Sequence, residues 1–107
     1  MKSILDAAKV PSAVFVASDS VALGALRAIR EAGLRVPEDI AMCGFDNTVD
    51  SEFVCPPLRT VSFPVEQHGR RAGEILYELM NGKRSPPCRE ITPFEIVVRE
   101  STAGRGA

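Results

Sequence analysis

Two short apolar runs, AVFVA at residues 13–17 and IAMCGF at 40–45, bracket one long helical pattern. That order constrains the fold more than any other feature of the chain. Continuous apolar runs rich in β-branched and aromatic residues suit strands buried on both faces, as in parallel sheets. Strand, helix, strand at this spacing is a βαβ unit, with parallel strands and a right-handed crossover. Pro11 ends a short helical lead-in over 2–9, where Ile4, Leu5 and Ala8 share a face.

The helix over residues 20–32 carries its charges only at Arg27, Arg30 and Glu31. Ser18 or Asp19 is placed to cap its first N–H groups. Gly33 suits its C-terminal cap, and Pro37 follows at the usual remove. Ala22, Leu26 and Ile29 make one face, flanked by Leu23. Val21, Ala25, Ala28 and Ala32 make a second strip. The helix is therefore apolar over more than half its circumference, which is more than a sheet-packed helix with a free outer face needs. A neighbouring helix or a subunit interface would each account for the excess.

Downstream, residues 46–57 read as a polar loop with Phe53 and Val54 as an apolar tip. Residues 58–63 read as a strand and 65–81 as a second helix closed by Asn81-Gly82. Residues 93–101 read as a last strand, and the tail as frayed.

At 107 residues, with 45% hydrophobic and 25% charged side chains, the chain has the composition of one small globular domain. No apolar run approaches the ~20 residues of a membrane span. Asp6 interrupts the N-terminal segment, which does not read as a secretory signal. Thirteen Lys and Arg against fourteen Asp and Glu give a net charge of −1, so no general attraction to nucleic acid is expected. Any DNA binding would have to reside in another part of a protein. Cys43, Cys55 and Cys88 form no CxxC pair, and His68 stands alone. Disulfide, zinc site, cofactor and catalytic residues are not expected, and a reducing cytoplasm fits best. Cys43 reads as a small core residue. A small α/β enzyme using Cys43 or Cys55 as nucleophile is the remotest reading.

Ligands of parallel α/β sheets gather beyond the C-terminal ends of the strands. Ser18 and Asp19 follow the first strand, and Asp46 and Asn47 follow the second. Both sets should share one edge of the sheet. Hydroxyl and carboxylate on one rim suit a polyol, since a carboxylate accepts from two adjacent hydroxyls. A helix cap is the plainer role for Ser18 and Asp19, and a turn former for Asp46.

VPSAVFVASDSVALGALRAIREAGLRVPEDIAMCGFDN, followed by CPPLRTVSFPVEQHGRRAGEILYELMNG and IVVREST, resembles the C-terminal part of LacI/GalR-type bacterial transcriptional regulators. The resemblance runs from about residue 10 to 102, in five blocks in order. It implies a Rossmann-like parallel-sheet lobe of a type I periplasmic-binding-protein-like α/β fold, present only in part. The family's helix-turn-helix headpiece, hinge and first half of the core have no counterpart here. The resemblance implies contacts from Ser18 and Asp46 to a small-molecule effector, a sugar or nucleoside. Ser18 stands where the family often has asparagine, keeping a hydroxyl without the amide's reach. It further implies a homodimer interface at Leu23, Leu26, Phe53 and Val54, and operator DNA bound only through the headpiece. Residues 1–61 and 93–102 would belong to the C-terminal lobe, and 62–92 to the N-terminal lobe. Helix 65–81 would then lack its usual partner, so self-association, segment swapping or repacking of that helix is expected. A fragment of a sugar-binding transport protein is the alternative.

Overall fold

The computed structural model describes residues 1–6 and 9–103. Ala8 of the expected lead-in face and residues 104–107 of the tail lie outside the described residues. The chain divides into two compact units, one formed by Met1–Ser62 and the chain from Ile96 on, the other by Phe63–Glu95.

In the first unit a short helix α1 (Lys2–Leu5) leads to strand β1 (Ala13–Phe15), helix α2 (Asp19–Glu31) and strand β2 (Ala41–Cys43). β1 and β2 are parallel, with Ala13, Val14 and Phe15 opposite Ala41, Met42 and Cys43. The expected βαβ unit is therefore present. Strand β3 (Thr60–Ser62) pairs with β4 (Glu95–Val97). A parallel bridge between Cys43 and Arg59 continues the pairing beyond β2, and Gly44 N–H donates to the Arg59 carbonyl at 2.8 Å.

α2 starts and stops for local reasons. The Ser18 hydroxyl accepts from Val21 N–H at 3.3 Å. At the other end Gly33 takes a φ of 79°, while Gly33 and Leu34 N–H donate to the Arg30 and Ile29 carbonyls. That is a Schellman ending, and the left-handed residue it needs costs glycine nothing. The helix's buried face, Ala22, Ala25, Leu26 and Ile29, packs with Ile40, Met42 and Leu58 into the core. Burying an Ile or Leu this way is worth roughly 1.5–3 kcal/mol.

Three expectations need correction. β1 is not buried on both faces: Ala13 is exposed and Phe15 is 66% exposed. β1 is the outer strand of its sheet, and among the described residues no layer covers that face. The presumed loop 46–57 contains a short helix α3 (Val49–Phe53). The last strand is only Glu95–Val97, because a 3-10 turn at Glu100–Thr102 follows it.

The second unit holds helix α4 (Val65–Met80) and the segment after it. α4 has no buried residue. Arg71 clips Glu90 at 2.9 Å and Glu74 at 3.1 Å, and Arg84 holds Glu78 at 2.8 Å. The hydrogen bonds from Arg71 hold the Glu90 carboxyl below its ordinary pKa.

Candidate functional site

The strand ends carry the polar groups. Val16 N–H donates to the Cys43 carbonyl at 2.8 Å, and Asp19 N–H to the Phe45 carbonyl at 2.9 Å. The loops after β1 and β2 are thereby laced together at one edge of the sheet.

Ser18 and Asp19 divide the labour. Ser18, half-buried, caps α2 as described. Asp19 is 0% exposed. Its Oδ1 accepts from the Thr60 hydroxyl at 2.8 Å, and its Oδ2 from Thr48 N–H at 2.9 Å. A Cβ on Gly44 would stand 2.2 Å from Asp19 Oδ1, so only glycine fits there. Asp19 thus binds the start of α2 to the loop after β2 and to β3. Buried polar groups need such partners to offset lost hydration.

Asp46 and Asn47 are the two non-glycine residues with positive φ among those described, at 115° and 57°. Among non-glycine residues Asp and Asn tolerate left-handed backbone best, but it still costs roughly 1–3 kcal/mol at sparsely populated angles. Asp46 N–H continues the sheet by donating to the Val61 carbonyl at 3.0 Å. The Asp46 carboxylate, half-buried, makes no hydrogen bond or ion pair among the described residues. Asn47, by contrast, is fully engaged: its N–H meets Thr60 Oγ1 and its Nδ2 meets Ser62 Oγ, each at 3.2 Å. Its Oδ1 accepts from Arg99 Nη2 at 2.9 Å.

Of the residues that hold this loop, Thr60 and Arg99 are distant in sequence and Ser51 lies within it. None of the three belongs to a local motif. Ser101, 0% exposed, donates from its hydroxyl to the Met42 carbonyl at 2.6 Å and accepts from Arg59 N–H at 2.8 Å, which anchors the chain after β4 to β2.

The expected subunit-contact residues are partly gathered. Leu23, Leu26 and Val54 line one groove of about 480 Å³ with Arg27, Arg30, Glu31 and Cys55. Arg30 Nη2 donates to the Cys55 carbonyl at 2.8 Å and braces its wall. Leu26 is 6% exposed and mainly a core residue, whereas Phe53 is 76% exposed and is not part of this lining.

Burial pushes the Cys43 thiol up from its ordinary pKa, with Asp19 adding to the shift and Arg59 opposing it. An activated nucleophile needs the opposite shift. No group of three metal-ligating side chains occurs among the described residues. No helix among them is long and apolar enough to cross a membrane.

Residues 1–102 match the family model of the periplasmic binding protein-like domain, and the chain belongs to that family. Within it, its relatives are LacI-type regulators. The transcriptional repressor MelR of Bacillus subtilis is 42% identical over 94% of this chain and 29% of its own length. A transcriptional regulator CelR–cellobiose complex superposes with a TM-score of 0.72 at 40% identity, over 84% of this chain and 28% of that one. A lac repressor dimer bound to operator and the anti-inducer ONPF gives 0.73 at 39% identity, over 86% and 28%. The chain spans about 30% of the length of the curated relatives it matches.

Proposed function

We propose that these residues are the effector-sensing and dimerisation portion of a sugar- or nucleoside-responsive LacI-type transcriptional regulator of the cytoplasm. The observation that carries the effector reading is the Asp46 carboxylate, which has no partner among the described residues and is held on left-handed backbone at the strand edge it shares with Ser18. A carboxylate with free lone pairs can accept from two neighbouring ligand hydroxyls, and Ser18 keeps one lone pair and a donor beyond its cap. The cellobiose in the related CelR complex supports a sugar as ligand class. On this reading residues 1–61 and 93–102 belong to one lobe of the core and 62–92 to the other. The division of the chain into two compact units supports it.

The mechanism is population shift and involves no covalent chemistry. A ligand that prefers one lobe arrangement biases the equilibrium, and operator affinity follows through a headpiece outside these residues. Leu23, Leu26, Phe53 and Val54 supply the contact between copies.

Calorimetric titration of the whole regulator with cellobiose, other sugars and nucleosides tests this. A saturable heat with one of them is expected, and Asp46→Ala should weaken it at least about tenfold, or ~1.4 kcal/mol. Silence from every compound, or an unchanged affinity in Asp46→Ala, overturns the effector reading. The 107 residues alone should give no sequence-specific gel shift even at low salt, where basic contacts are strongest.

A further inference from the structure

We propose that Arg99 is a positioning residue for the loop after β2, clamping Asn47 and Ser51 so that Asp46 stays in its left-handed conformation. The proposal rests on the effector reading only for what Asp46 does there. The clamp itself stands on the geometry.

Arg99 lies 52 residues from Asn47 and 48 from Ser51. Its Nη2 donates to Asn47 Oδ1 at 2.9 Å. Its Nη1 donates to Ser51 Oγ at 2.9 Å and to the Leu58 carbonyl at 3.0 Å. All three acceptors are neutral oxygens, so the position uses the planar fork of the guanidinium rather than neutralisation of a carboxylate. Asn47 cannot return to ordinary backbone without breaking its bonds to Arg99, Ser62 and Thr60 together. Asp46, one residue upstream, is carried with it. Ser51, 0% exposed, passes the restraint on to Thr48 by donating to its carbonyl at 2.6 Å. Thr48 N–H in turn reaches the buried Asp19.

Amide hydrogen exchange on the 107-residue chain tests the clamp. Arg99→Lys keeps the charge and loses the fork. Exchange at Asn47 and Thr48, whose acceptors are Thr60 Oγ1 and Asp19 Oδ2, should quicken at least about tenfold. Exchange at Val16 and Ala22, bonded to Cys43 and Ser18 carbonyls, should stay at wild-type rates. Quickening at all four alike means general destabilisation and overturns the proposal, as does no change at Asn47 and Thr48. If Arg99→Lys does not fold, Asn47→Gly replaces it. That variant keeps left-handed backbone at no cost, removes the partner of Arg99, and should quicken exchange at Thr48. An unchanged Thr48 rate in Asn47→Gly overturns the clamp. Titration with cellobiose separates the two ideas. If Asp46→Ala leaves sugar binding intact, the effector reading fails, and the exchange rates alone decide the clamp.

Discussion

Gly44 and Asp19 decide more of this structure than their size suggests. The carboxyl of Asp19 occupies the space a side chain at position 44 would need, and spends both oxygens on Thr60 and Thr48. Gly44→Ala must push that carboxyl away and leave buried polar atoms unpaired. We expect a loss of about 1–3 kcal/mol, the usual cost of an unsatisfied buried group. Urea unfolding checks it, and a midpoint equal to wild type would mean the carboxyl has another place to go. The cysteines give a second residue-scale outcome. Cys55 is exposed, while Cys43 is half-buried with its thiol pushed up by burial. A raised pKa leaves less thiolate at any pH below it, so iodoacetamide near pH 8 should alkylate Cys55 well before Cys43. Mass mapping of early products reads the order.

Helix α2 shows what an element owes to its own residues. Its cap at Ser18, its buried face and its glycine ending are all local signals, and all are legible in the sequence. Ser18→Ala should cost about 1 kcal/mol through the cap, and Ile29→Ala about 2–5 kcal/mol through the cavity it leaves. The sequence does not show that β1 is exposed on one face, because a run of apolar residues does not say whether a second layer is present to cover it. It does not show α3 either, because five residues carry too little periodicity. The site divides in the same way. Ser18 and Asp46 follow strands, and ligands of such sheets gather past strand ends, so both are legible as candidates for the proposed site. The restraints on Asp46 are not, because Thr60 and Arg99 reach across 41 and 52 residues to groups no local pattern links. In α4 the Arg71–Glu90 pair sets an acid limit. Hydrogen bonds from Arg71 hold the Glu90 carboxyl below its ordinary value of 4.5, so its contribution is complete above that value and is lost as pH falls through the lower folded value. Carboxyl-carbon NMR should show Glu90 titrating below that ordinary value, and Arg71→Gln, which removes the hydrogen bonds, should move the titration back up.

For the molecule as a whole, the decisive fact is apolar surface left in water on both units. On the second unit, Val65, Leu76, Tyr77 and Met80 of α4 are 59–76% exposed. On the first, Leu23 and Val54 line an open groove beside Phe53, and Ile96 and Val98 are more than half exposed. Single exposed apolar side chains are ordinary, but contiguous ones mark contact surfaces or association liabilities. Association of copies removes that area from water at about 25 cal/mol per Å², set against the rigid-body entropy of joining them. The 107-residue chain should therefore self-associate, seen as a sedimentation coefficient that rises with concentration. Two substitutions separate the faces. Leu23→Glu puts a charge into the groove and should weaken association at least about tenfold, ~1.4 kcal/mol, if that groove is the dimer contact. Leu76→Glu should have that effect instead if α4 is where copies meet. A monomer at every concentration would show that neither face draws a second copy, and the dimerisation role assigned to Leu23 and Val54 would fall with it.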